Sequence, residues 1–76
     1  MTIIYEGRKF VFEQFSLFEG CWIDSDQSTF DSFVVSHREC YSRSYVSGWQ
    51  VFDPLPGYDF LGTFRIRPER SLLLEV

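Results

Sequence analysis

The apolar period of this chain switches to helical spacing once and then switches back, which restricts the fold more than any motif in it. Across residues 28–42, Phe30, Phe33, Val34, His37 and Tyr41 fall on one face of a roughly 3.6-residue repeat. On both sides of that segment the apolar residues alternate. Residues 2–15 read as a hairpin: Ile3 and Tyr5 alternate with Thr2 and Ile4, Phe10 and Phe12 alternate with Val11 and Glu13, and Glu6-Gly7 makes the turn. Gly7 supplies the positive φ that such a turn needs.

A third strand is expected over residues 18–24, with Phe18, Gly20 and Trp22 on one side of the pleat. Beyond the helical segment, Tyr45, Ser47, Trp49 and Val51 alternate with Val46, Gly48, Gln50 and Phe52, up to a break at Pro54-Leu55-Pro56-Gly57. Phe60, Gly62, Phe64 and Ile66 then alternate with Leu61, Thr63, Arg65 and Arg67, and a short strand over residues 72–76 closes the chain. Ser28 is placed to cap the helix, with Asp31 three residues on as a capping-box variant. Thr29, Val34, Val35 and four Ser weigh against a helix, so the competing reading is a hairpin turning at residues 25–28.

The expected architecture is α+β, a small antiparallel β-sheet of five or six strands with one helix packed on it, in a single domain over residues 1–76. A small closed β-barrel is the alternative. A chain this short can enclose only a small core. Fifteen of its 76 residues are Phe, Tyr or Trp and none is Ala, so each ordered residue carries unusually large apolar area. Periodicity assigns Phe10, Phe12, Phe30, Phe33, Phe60 and Phe64 to that core. No apolar run approaches the roughly 20 residues of a membrane span. The N-terminus has no basic segment leading into an apolar stretch, so the chain reads as unexported and cytoplasmic.

Net charge is −4, from 11 acids against seven Lys and Arg. From Phe10 to His37 lie Glu13, Glu19, Asp24, Asp26 and Asp31 and no Lys or Arg, whereas Arg38, Arg43, Arg65, Arg67 and Arg70 belong to the second half. If the fold keeps these halves apart, one side of the molecule is acidic and steers a basic partner towards it. A second feature is the proline-stiffened loop that carries Leu55 and Tyr58 between Asp53 and Asp59. With Trp49 just before it, this loop can anchor a partner at little entropic cost. The expected binding set is therefore Glu13, Glu19, Asp24, Asp26, Asp31, Trp49, Asp53, Tyr58 and Asp59.

Chemistry finds less support. His37, Cys21 and Cys40 could form a three-ligand metal site or a Cys-His pair, but structural zinc takes four Cys or His ligands in short paired spacings. The default is a semi-buried histidine and two unreactive core thiols, reduced in an unexported chain. There is no phosphate-cradling glycine loop, no His-Glu-x-x-His and no Gly-x-Ser-x-Gly, and Asp24 with Asp26 reads as turn and capping carboxylates. No metal, no cofactor and no enzymatic activity are expected.

The leading expectation is a small acidic binding protein, monomer or homodimer, that modulates a protein partner with a basic surface such as a nucleic-acid-handling complex. By analogy of size and charge alone, phage-encoded or mobile-element inhibitors, anti-CRISPR proteins among them, act in this way. Two alternatives stand beside it. Single-stranded nucleic acid could lie on the sheet over Tyr45, Trp49, Phe64, Arg65 and Arg67, although the negative net charge opposes this. A phage assembly component is the other.

Overall fold

The computed structural model describes residues 2–69, without the side chains of residues 36–38; the expected strand over residues 72–76 lies outside the described residues. The expected first hairpin forms from β1 (Thr2–Tyr5) and β2 (Arg8–Ser16). At nine residues, β2 is long enough to pair twice along one edge, with β1 through its first half and with β3 (Cys21–Asp24) through its second. Its other edge takes β6 (Phe64–Pro68), followed by β5 (Trp49–Pro54) and β4 (Tyr41–Val46). Every pairing is antiparallel, and β1 and β4 form opposite margins of an open, six-stranded sheet. It is not a barrel.

One helix, α1 (Gln27–Cys40), packs across one face. Its cap is Asp26, whose Oδ1 accepts the Thr29 backbone N–H at 2.9 Å and the Ser28 hydroxyl at 3.3 Å. The expected Ser28 cap is thus corrected by two residues, and a carboxylate meets the positive end of the helix dipole better than a hydroxyl does. The Thr29 N–H holds the Asp26 carboxyl below the usual carboxylate range. Poor helix formers are tolerated because packing, more than intrinsic propensity, stabilises a short helix.

The covered face is a lattice of rings. Ile3, Phe12, Phe30, Phe33, Tyr41, Phe52, Phe64 and Ile66 are buried there. Phe12 stacks on Phe64 at 5.2 Å and meets the edge of Phe30 at 5.0 Å, while Phe33 is wedged between Phe52 at 4.9 Å and Tyr41 at 5.1 Å. Each such pair adds about 0.5–1.5 kcal/mol beyond the area it buries. Phe10 is half-buried at the margin of this cluster.

The structure corrects further expectations. The single strand expected through residues 45–52 is a hairpin, β4–β5, turning at Ser47 (φ 51°) and Gly48 (φ 86°). Positive φ at both central residues is the primed two-residue turn that suits right-twisted strands. Tyr45 and Val46, facing opposite ways just before the turn, are both exposed, so no burial pattern marked the reversal. Phe60 lies in a 3₁₀ turn (Asp59–Leu61), 79 % exposed and outside the core, because Gly62 at φ 85° interrupts the chain before β6 begins. Phe18 sits in the β2–β3 turn, and β3 starts only at Cys21, which is exposed and not a core thiol. No helix among the described residues is long and apolar enough to cross a membrane.

Candidate partner-binding surface

The face of the sheet opposite α1 carries an ordered stack of side chains. Register sets Glu13 of β2 between Asp24 of β3 and Arg65 of β6. The Arg65 guanidinium lies between two indoles, its Cζ 4.3 Å from the Trp22 ring centre and 3.9 Å from that of Trp49, and Arg67 reaches Trp49 at 4.8 Å. Its Nε donates to Glu13 Oε1 at 2.7 Å, and Nη2 reaches the same oxygen. Phe15 meets Trp22 at 5.4 Å, nearly edge-on. Each guanidinium gains from the ring quadrupole beneath it.

This stack changes the expected charge pattern. The β2–β6 pairing sets Glu13 beside Arg65 here, so the two halves of the chain do not segregate on this face. The remaining acids of the 10–37 stretch occupy other elements. Asp26 caps α1, Asp31 accepts from the Gln27 carboxamide at 3.0 Å, and Glu19 sits at the tip of the β2–β3 turn. Asp53 is exposed on β5, close in sequence to the proline loop.

A second surface lies at one end of the sheet, where the β2–β3 turn and the 3₁₀ turn rim a cleft of about 620 Å³. Leu17 is 92 % exposed, Phe18 98 % and Phe60 79 %. Tyr58 stands 6.3 Å from Phe60, ring to ring, and is itself partly exposed. Phe15, Ile23 and Leu61 line the floor. The turn that presents Leu17 and Phe18 is braced by its own bonds, Gly20 N–H to the Ser16 carbonyl at 2.7 Å and Glu19 N–H to the Ser16 hydroxyl at 3.0 Å. Phe15 N–H donates to the Thr63 carbonyl at 2.9 Å and ties the two rims together. The 3₁₀ turn continues the proline loop, through Tyr58 N–H to Leu55 O and Leu61 N–H to Tyr58 O, each 2.9 Å.

Of the expected binding residues, Glu19, Tyr58 and Asp59 come to this end of the molecule, Glu13, Asp24 and Trp49 belong to the open face, and Asp26 and Asp31 to the helix. Leu17, Phe18 and Phe60 were missed. Leu17 and Phe18 carry a signal, an adjacent apolar pair just ahead of Glu19-Gly20, which is an unusual content for a turn. Cys21 and Cys40 are free thiols, and among the described residues no three His, Cys, Asp or Glu converge.

No protein-family model, curated protein or solved structure matches the chain.

Proposed function

We propose that this chain is a non-enzymatic binding protein that seats a protein partner on the apolar end of its sheet. One observation carries the proposal: Leu17, Phe18 and Phe60 all project into water around one cleft, on turns held by backbone hydrogen bonds. Burying side chains of this size is worth about 1.5–3 kcal/mol each. Contiguous exposed patches of that kind mark interaction sites.

Exposed Glu19 and Asp59 flank the apolar rim and suit a partner whose complementary ring is basic. A net charge of −4 favours the same class, which includes nucleic-acid-handling proteins. On that reading the chain acts as an inhibitor in the manner of small mobile-element proteins. The test begins with affinity capture from the native host, with the intact protein as bait. Binding of the captured partner to Phe18→Asp and Phe60→Ser is then compared with the parent. Losses of tenfold or more with unchanged melting are expected for both variants, whereas full retention of affinity in both discards the proposal.

A second reading is favoured by the alternation of Trp and Arg on the open face, which resembles a surface for single-stranded nucleic acid. Against it, the guanidiniums of Arg65 and Arg67 already lie over the indoles on which bases would stack. Oligonucleotide binding that weakens steeply with added salt would favour this reading over the first.

A further inference from the structure

We propose that two copies of this chain pair edge to edge through β4, in one register about a two-fold axis at Ser44. This surface is separate from the apolar cleft and does not depend on it. The two margins of the sheet are treated differently. At the β1 margin the Gln27 carboxamide stands in for a neighbouring strand: it accepts the Ile4 N–H at 2.8 Å and donates to the Ile4 carbonyl at 3.1 Å. β3 extends that margin by only four residues. At the β4 margin nothing equivalent is found among the described residues. β4 runs six residues with no Pro, no Lys and no acidic side chain, and Tyr45 and Val46 are 75 % and 55 % exposed. Long unprotected edges of this kind recruit another strand.

Which β4 groups are free follows from the hairpin. A two-residue turn makes its flanking residues, Val46 and Trp49, a hydrogen-bonded pair, and bonded and non-bonded pairs alternate from there. Ser44 with Val51 and Ser42 with Asp53 are then bonded, while Tyr45 with Gln50, Arg43 with Phe52 and Tyr41 with Pro54 are not. Pro54, which has no N–H, and the Leu55 N–H bond to the Cys40 carbonyl at 2.8 Å both agree with this alternation. The backbone groups of Tyr41, Arg43 and Tyr45 therefore point outward.

A two-fold axis perpendicular to the sheet pairs residues of equal parity. Centred at Ser42 it would set Arg43 opposite Tyr41, whose ring is buried against Phe33, centred at Arg43 it would oppose two guanidiniums, and centred at Tyr45 it would run off the strand into the turn. Centred at Ser44 it sets Arg43 of each copy directly opposite Tyr45 of the other. These pairs exchange backbone hydrogen bonds through the outward groups, and on the shared face a guanidinium meets a phenol ring. The only charged residue on the strand thus finds an aromatic, and the interface is self-complementary.

Sedimentation of the intact chain from about 1 μM to about 1 mM, a span suited to a modest interface, is expected to show a monomer–dimer equilibrium. Tyr45→Lys puts like charges opposite each other in both symmetric pairs and should weaken dimerisation by about tenfold or more without changing the melt. The swap R43E/Y45K restores opposite charges in this register and should recover the dimer. Tyr45→Pro removes only an outward N–H, which an edge strand tolerates, and should leave a folded monomer. A chain that stays monomeric throughout the range leaves the edge to some other occupant and overturns the proposal. So do a dimer indifferent to Tyr45→Lys and Tyr45→Pro, or a folded R43E/Y45K that fails to recover it.

Discussion

Phe12 and Phe18 are the same residue six positions apart, one sealed between the sheet and the helix and the other fully in water. Phe12→Ala would remove a ring that touches Phe30, Phe33 and Phe64, and is expected to cost about 3–5 kcal/mol, most of the stability of so small a domain. Phe18→Ala and Phe60→Ala are expected to stay within about 0.5 kcal/mol of the parent in urea melts. Tyr41 offers a different probe. Burial, with a smaller contribution from Cys40, pushes its hydroxyl up to about 12. An unfolded tyrosine ionises near 10, so the folded state keeps a proton that the unfolded state has lost. Tyr41 therefore costs nothing below about pH 10 and lowers stability as pH rises from there towards 12. In a spectrophotometric titration one tyrosine should ionise last, and Tyr41→Phe should abolish that phase.

At the scale of elements, the helix was legible because its ring spacing is local, and its cap was not. Asp26 and Ser28 are both good capping chemistries. What separates them is remote in sequence, since the Gln27 carboxamide binds the backbone of Ile4 and fixes where the first turn starts. Asp26→Ala is expected to lower the melting temperature at neutral pH, and Asp26→Asn to preserve most of it. Because the folded pKa of Asp26 is depressed, its contribution is present above the ordinary carboxylate range and is lost as pH falls through the lowered value. Melts of the parent and Asp26→Ala should therefore converge in acid. The β4–β5 hairpin was hidden for a related reason, as β4 carries exposed apolar residues, Tyr45 and Val46, on both sides of the pleat. Gly48 has open space around it, so Gly48→Ala is penalised by backbone conformation alone. The expected loss is about 1 kcal/mol, whereas Ser47→Asn, which favours the primed turn, should raise the urea midpoint.

For the whole molecule, periodicity located most of the core, with Phe60 the exception, and the run of charges misled. An acid-rich first half and an Arg-rich second half invited segregation, yet the β2–β6 pairing joins residues 52 apart and brings Glu13 against Arg65. No local pattern carries that register, and periodicity alone extended strands over Phe18 and Phe60, because it cannot tell a strand from the turn beside it. The open-face stack offers a test that separates the two binding readings. With Arg65 and Glu13 only 22 % and 20 % exposed, the guanidinium bridges two indoles and neutralises a largely buried carboxylate. Arg65→Ala should therefore cost about 1–3 kcal/mol by urea denaturation followed through Trp fluorescence. Arg65→Lys should recover only part of the loss, since a compact ammonium cannot stack between two rings and hold the carboxylate as a planar fork does. If Arg65→Ala instead melts like the parent, the stack contributes nothing to the fold. Its rings would then be free to receive bases, and the open face would displace the apolar cleft as the place to look for a partner.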